Sequence, residues 1–337
     1  MPYEPNDRPT FYFIGVTTGS SSIMKLFPLW AEALGLADAR IKGMDLPIHA
    51  SPELYREAVG FLKNDPNSLG ALVTTHKIDL FHAARDLFDE LDPYALQFEE
   101  LSSISKQDGR LLGAAKDPIS SGLAMESFIP PNHWARGGDV FLMGAGGSAL
   151  AISSYLTRPE HGDNVPSRIV ISNRSQARLD SAKELLGRLE TKTRFEYRLC
   201  PEPRDNDAVL AELPKHSLVV NATGLGKDRP GSPLTNEALF PQGSLVWELN
   251  YRGDLLFLRQ AEAQREERGL RVEDGWIYFL HGWTQVIQDV FHIHIDKPTF
   301  RRLEQIALEL QRQGQQQQGQ QQQGRPPQGQ NPKEEAR

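Results

Sequence analysis

Asp139-Val140-Phe141-Leu142-Met143-Gly144-Ala145-Gly146-Gly147-Ser148-Ala149 decides the fold of this chain. An apolar, strand-like run empties into a glycine turn, and Leu150 to Leu156 continues with helical composition. Gly144 permits the tight turn and Gly146 lets the backbone approach a pyrophosphate. Small Ala149 fills the third slot of G-x-G-x-x-[GA], where helix and strand pack closely. Ala145, Gly147 and Ser148 complete the loop, and the first N–H groups of the helix, which lack intrahelical partners, are offered to phosphate. A second strand over Ser167 to Ser172 ends in Asn173-Arg174-Ser175, with Arg178 one helical turn beyond Arg174. An NAD site would place a carboxylate here for the ribose 2'-hydroxyl, whereas two guanidinium groups on one face suit a 2'-phosphate. The pattern predicts a nucleotide-binding unit for NADP(H).

The rest of the composition sets bounds. A chain of 337 residues with 39% hydrophobic content can build two cores. A net charge of −7 offers no basic surface to a nucleic-acid backbone or an anionic membrane, so the expected partner is a small molecule. The start lacks the basic and apolar regions of a secretory signal, no apolar run approaches a membrane span, and the cytoplasm is the expected compartment. Cys200 is the single cysteine, which excludes an intrachain disulfide. His292-Ile-His294 has no evident third ligand, so no metal is expected. Residues 313–337 are Gln- and Gly-rich, with Gln-Gln-Gln-Gln-Gly at 315–319 and again at 320–324, and are expected to be disordered.

Before the nucleotide unit, strand and helix signals alternate. Phe11 to Val16 reads as a strand, followed by Ile23, Leu26, Phe27, Trp30 and Leu34 at helical spacing up to Gly35. Gly70 to Thr75 is a buried strand that runs into His76-Lys77, and the extended segment from Gly109 ends at Asp117. Lys77 and Asp117 thus stand at carboxyl ends of strands, where open α/β sheets hold their ligands. Lys116 is sent to the opposite face by alternation. Desolvation would lower the Lys77 pKa and the charge of Asp117 would raise it, which leaves the net direction open.

In this order the chain resembles the shikimate dehydrogenase family. That family's early serine-rich turn and Leu-Gly-Leu helix end look like Gly15-Val-Thr-Thr-Gly-Ser-Ser-Ser22 and Leu34-Gly35-Leu36. Its Asn-Val-Thr-x-Pro-x-Lys looks like Leu72-Val73-Thr74-Thr75-His76-Lys77, one residue shorter, and its Gly-x-Asn-Thr-Asp-Gly looks like Gly113-Ala-Ala-Lys116-Asp117-Pro118. Its Asn-Arg-Thr, Asn-Ala-Thr and Asp-x-x-Tyr segments look like Asn173-Arg174-Ser175, Asn221-Ala222-Thr223-Gly224 and Glu248-Leu-Asn-Tyr251.

The resemblance implies an NADP-dependent, reversible hydride transfer between cofactor and a ring ketone or secondary alcohol. Lys77 is then the proton donor or acceptor and Asp117 its partner, while Asn221, Thr223 and Gly224 join the cofactor site. Ser20, Ser21, Ser22, Thr74, Ser102, Tyr251 and Gln285 become the candidate substrate contacts. Several of these positions depart from the family. Its i, i+2 serine pair is met by Ser20 and Ser22 in one register and broken at Ile23 in the other. Its Gly-Ala-x-Asn pattern is missing around Ser102 and Ser103, and its ring-binding glutamine is Gly282, with His281 or Gln285 as neighbours. A lost hydroxyl partner changes substrate choice more than reaction type. The expected ring is therefore shikimate, quinate, aminoshikimate or a related carbocyclic acid or cyclitol. A catalytically silent NADP(H)-binding sensor on the same fold is the alternative.

The expected architecture is α/β in two domains. Residues 1–121 form a substrate domain to which 279–312 return as helices, and 122–278 form a Rossmann-type NADP domain. The chain is expected to be a monomer or homodimer with its ligand in the cleft between domains.

Overall fold

The computed structural model describes residues 3–227 and 229–323, the side chains of 314–323 excepted. Two six-stranded sheets divide the molecule. The first contains β1 (Thr10–Gly15), β2 (Arg40–Asp45), β3 (Ser68–Val73), β4 (Glu90–Leu91), β5 (Ser103–Gln107) and β6 (Arg110–Ala114), in the order β2-β1-β3-β5-β6-β4. Only β5 runs against its neighbours, so β3 and β6 point the same way and deliver their carboxyl ends to one edge.

The second sheet contains β7 (Val140–Met143), β8 (Arg168–Asn173), β9 (Arg194–Leu199), β10 (Leu218–Asn221), β11 (Leu245–Glu248) and β12 (Arg271–Glu273). All its pairs are parallel, and the order β9-β8-β7-β10-β11-β12 is that of a Rossmann domain. The order reverses between β7 and β10, and that crevice is where such sheets bind dinucleotides. Successive residues of β7 supply opposite cores: Val140 and Leu142 pack with Leu150 and Leu179, Phe141 and Met143 with Phe240 and Phe257. Being buried on both faces, β7 has no polar alternation and reads as a continuous apolar run.

The last two helices cover one face of the first sheet. Leu280, Trp283, Val286 and Leu303 pack with Phe11, Phe13 and Phe27, and Trp30 Nε1 donates to the Leu303 carbonyl at 2.9 Å. The final helix, Lys297–Gln323, passes the position where the sequence reading begins a disordered tail. Glutamine is a good helix former, and extending an existing helix avoids the cost of nucleation. The rest of that segment, 324–337, lies outside the described residues. No described helix is long and apolar enough to cross a membrane.

Both domain boundaries drawn from the sequence, at 121/122 and 278/279, fall inside helices. Asp117–Phe128 starts at the edge of the first sheet and packs Ala124, Met125 and Phe128 into the second core. Trp276–Phe291 starts against the second core through Ile277 and Tyr278 and ends in the first. No turn signal interrupts either segment. Gly122 is there for contact: a Cβ on it would come within 2.1 Å of the Tyr155 ring, on the helix that follows the nucleotide loop. Gly122→Ala is therefore expected to lower the unfolding free energy by about 2–3 kcal/mol, despite alanine's higher helix propensity. Urea denaturation with unchanged or raised stability would remove this account of the domain junction.

Candidate active site in the interdomain cleft

Lys77 is the first residue of the helix Lys77–Ala84 after β3, and Asp117 is the first residue of the bridging helix after β6. The Lys77 ammonium donates to Asp117 Oδ2, and the side chains keep 22% and 14% of their surface open to the cleft. A cation at a helix N-terminus opposes the macrodipole, whereas Asp117 suits its own helix start. Burial pulls the Lys77 pKa down, but the charges of Asp117 and Glu100 and the Asp117 hydrogen bond outweigh it, so the net shift is upward. The direction left open by the sequence is upward, which favours the protonated lysine.

Around this pair lies a cleft of about 550 Å³, lined from the first domain by Thr74, Lys77, Glu100, Ser102 and Asp117. Gly146, Ser148, Thr223 and Tyr251 line it from the second. A second groove, about 530 Å³, runs along Gly144 to Gly146, Asn173 to Ser175, Arg178, Thr223 and Arg229. The two share Gly146, Ala222 and Thr223, which makes one path from the arginines to Lys77. Gly144 has φ +120° and would drive a Cβ to 2.5 Å from the Ala222 carbonyl, so the turn demands glycine. Gly146 caps the helix Gly147–Leu156, with open space where its Cβ would stand. Asn173 Oδ1 accepts from the Ser175 N–H at 2.9 Å and fixes the turn that carries Arg174.

The same folds and loops occur in known proteins. No family model matches the chain. A shikimate dehydrogenase (NADP(+)) of Bacillus cereus is 33% identical over 244 residues, 71% of this chain and 79% of that enzyme. The chain belongs to the shikimate dehydrogenase family. The corresponding enzymes of Lactococcus lactis and Streptococcus gordonii are 27% and 29% identical over 188 residues, and the chain spans only 61% and 60% of their lengths. Among solved structures, the shikimate 5-dehydrogenase of Thermus thermophilus in complex with NADP(H) and shikimate superposes with a TM-score of 0.67. It is 22% identical, and the match covers 90% of this chain and 99% of that one. The ligand-free 5-ketofructose reductase of a Gluconobacter strain has a TM-score of 0.62 at 18% identity, covering 89% and 99%.

Against the shikimate dehydrogenase pattern, several sequence-derived positions move. Ser20, Ser21 and Ser22 do not line the cleft. Asp45 Oδ1 accepts from both N–H and Oγ1 of Thr18 at 2.8 and 2.6 Å, a clasp that buries Thr18 and leaves Ser20 and Ser22 at the surface. Gln285 faces a separate cavity with Lys116 and Asp289, which pair at 2.8 Å; the bridging helix turns it away from Gly282. His281 stacks on Phe300 at 4.1 Å, and burial pushes its pKa down to about 4. Asn221 is fully buried and holds the loop from within: its Nδ2 donates to Glu248 and Leu225, and its Oδ1 accepts from Thr223. It positions Thr223 and Gly224 and has no surface to offer a ligand.

Ser102, Thr74 and Tyr251 do line the cleft. The Ser102 hydroxyl already accepts from the Lys116 N–H at 2.7 Å, Thr74 donates to the Ile14 carbonyl at 3.2 Å, and the Tyr251 ring lies 4.4 Å from that of Phe279. The sequence reading missed Arg229, a third guanidinium on the groove, and Glu100; Tyr278, an aromatic that the sequence leaves open between cleft wall and core, lines the cleft. Tyr278 bonds Ser148 of the nucleotide loop, and burial together with the charges of Asp117 and Glu100 drives its hydroxyl pKa well up.

Glu100 stands where the Gly-Ala-x-Asn pattern, laid on Ser102, has alanine, and only 3% of its surface is exposed. An acid in the otherwise buried run Leu101-Ser102-Ser103-Ile104 is the signal that could have exposed it. Burial raises its carboxyl pKa to about 7, with Lys77 pulling the other way. The folded carboxyl therefore keeps its proton to about pH 7 and the unfolded one releases it near pH 4.5, so folding takes up a proton between those values. The Glu100 contribution to stability is full below pH 4.5 and is lost as the pH rises through 7. Relative to Glu100→Gln, the wild type is expected to lose on the order of 2–3 kcal/mol between pH 5 and pH 8.5 in urea melts. A difference that stays flat with pH would contradict this placement of the acid.

Proposed function

We propose that this chain is an NADP-dependent oxidoreductase of the shikimate dehydrogenase type, interconverting a ring ketone and a secondary alcohol of a carbocyclic acid or cyclitol. The observation that carries the reading is one continuous path, from an arginine-lined groove at the Rossmann switch point to an ammonium held by a carboxylate. Family membership supports it, as do the relatives named as NADP-dependent shikimate dehydrogenases.

The residues present suit the cofactor. Gly144 and Gly146 leave the loop bare for a pyrophosphate at a helix start, and Arg174, Arg178 and Arg229 edge the groove beyond β8 and β10, where a 2'-phosphate would be held. When bound, NADP(H) supplies or accepts the hydride. Negative charge grows on the ring oxygen as the carbonyl carbon gains hydride, and the Lys77 ammonium meets that charge and passes it a proton. Asp117 holds the ammonium in position and keeps it protonated through the neutral range. In the reverse direction, neutral Lys77 takes the hydroxyl proton, so alcohol oxidation should quicken toward alkaline pH.

Lys77→Met and Asp117→Asn are expected to lower kcat by about 10²–10⁴ in NADPH-dependent ketone reduction, with NADPH affinity changed less than about threefold. Full activity in either variant would end the proposed mechanism. NADPH binding without turnover of any carbocyclic acid, alcohol or ketone by the wild type would instead favour a silent nucleotide-binding protein. The cofactor assignment is tested by Arg174→Ala combined with Arg178→Ala. The pair should weaken NADPH at least about tenfold and leave NADH nearly unchanged, the loss of one or more charge-assisted contacts. Equal losses for both nucleotides would contradict a 2'-phosphate site.

A further inference from the structure

Glu100 is not used by the chemistry above. It is 3% exposed and lines the cleft beside Lys77 and Ser102, yet its carboxylate accepts no hydrogen bond among the described residues. A buried acid with no hydrogen-bond donor is unusual enough to require a reason. It also reaches across the domain junction: a Cβ on Gly147 would stand 2.8 Å from Glu100 Oε2, so the bare backbone of the nucleotide loop is what admits this side chain. Glu100 therefore sits where the ring presented to Lys77 meets the nucleotide loop.

The neighbouring groups narrow what it can recognise. Lys77, Asp117 and Lys227 are the other charged residues on the cleft wall. The Lys77 ammonium is committed to Asp117, which leaves Glu100 as a second acid sharing one cation. Ser102, two residues on, has one lone pair taken by the Lys116 N–H, the serine-rich turn is outside the cleft, and Gly282 has no side chain to give. The polar groups that could read a ring hydroxyl are thinned on this side, and a carboxylate has been added. Once ionised, an acid here favours a full positive charge over a neutral hydroxyl, because the ion pair adds Coulomb attraction in a largely buried site, and the bound cation in turn pulls the Glu100 pKa below about 7.

Resting on the dehydrogenase reading, we propose that Glu100 is a specificity-determining residue that binds the ring substituent next to the reacting carbon, and that the substituent it selects is a protonated amine.

The test compares shikimate with an analogue carrying an amine in place of the hydroxyl beside the reacting carbon. It uses the full chain with NADP+, and for each ring both turnover and calorimetric binding are measured. The wild type is expected to prefer the amine ring at least about tenfold in kcat/KM and in affinity, and Glu100→Gln and Glu100→Ala are expected to abolish that preference. NADPH affinity should stay within about threefold in both variants, since the residue reads the ring and not the nucleotide. Turnover of both rings with no preference, or with a preference that survives Glu100→Gln, overturns the proposal while leaving the dehydrogenase reading standing. Loss of NADPH affinity with an unmoved ring preference overturns it too, by assigning Glu100 to the cofactor. A Glu100-dependent preference in binding without turnover upholds the proposal and counts against the dehydrogenase reading, and failure of both rings to bind overturns the proposal.

Discussion

The Lys77–Asp117 ion pair depends on a constraint of topology. β3 and β6 are separated by the antiparallel β5, yet both run the same way and end on one edge, so helices that start there set an ammonium and a carboxylate side by side. Asp117 is also the head of a helix whose far end is buried in the Rossmann core. One residue thus anchors the cation and opens the connection between domains. The electrostatics follow from this placement, since a lysine at a helix start, largely out of water, has its pKa raised against burial because two acids converge on it, Asp117 from the helix start after β6 and Glu100 from the loop before β5.

Much of this was legible in the residues. The apolar run Val140 to Met143 followed by glycines identified β7, its turn and its helix because a parallel strand buried on both faces has no polar positions to blur the pattern. Lys77 and Asp117 were found by their position at strand ends, which the sheet order then brings together. The domain limits read from the sequence fall inside helices for the same reason that helices are easy to see: periodicity runs on without a break from one core to the next. The direction of Ser20 to Ser22 depended on the Thr18–Asp45 clasp, a contact across 27 residues that no local pattern reports. Gln285 and Gly282 are three residues apart on one helix, and only the packing of that helix decides that Gly282 meets the cleft and Gln285 another cavity. Asn221 was read from the sequence as a cofactor contact, but its internal hydrogen bonds to Leu225, Glu248 and Thr223 make it a brace of the loop.

Glu100 and Asn221 show two ways in which a buried polar group is accommodated. Asn221 shares Glu248 with Asn250, so that acid, itself fully buried and pushed to about 7 by desolvation, accepts bonds on both oxygens. Glu100 has a pKa in the same range but no comparable set of donors. Full satisfaction rigidifies a loop, whereas an unfilled acceptor on a cleft wall retains the capacity to discriminate.

Continuous helices at both crossings also have a mechanical consequence. A loop hinge lets two bodies swing through many directions, but Asp117–Phe128 and Trp276–Phe291 run through the junction beside one another, with the Ser120 hydroxyl donating to the His281 carbonyl at 3.4 Å. Twisting or sliding one domain past the other would break backbone ladders in two rods at once. Two continuous rods side by side resist twist more than a pair of loops would, which favours a tilt that opens or narrows the gap between nucleotide loop and ammonium.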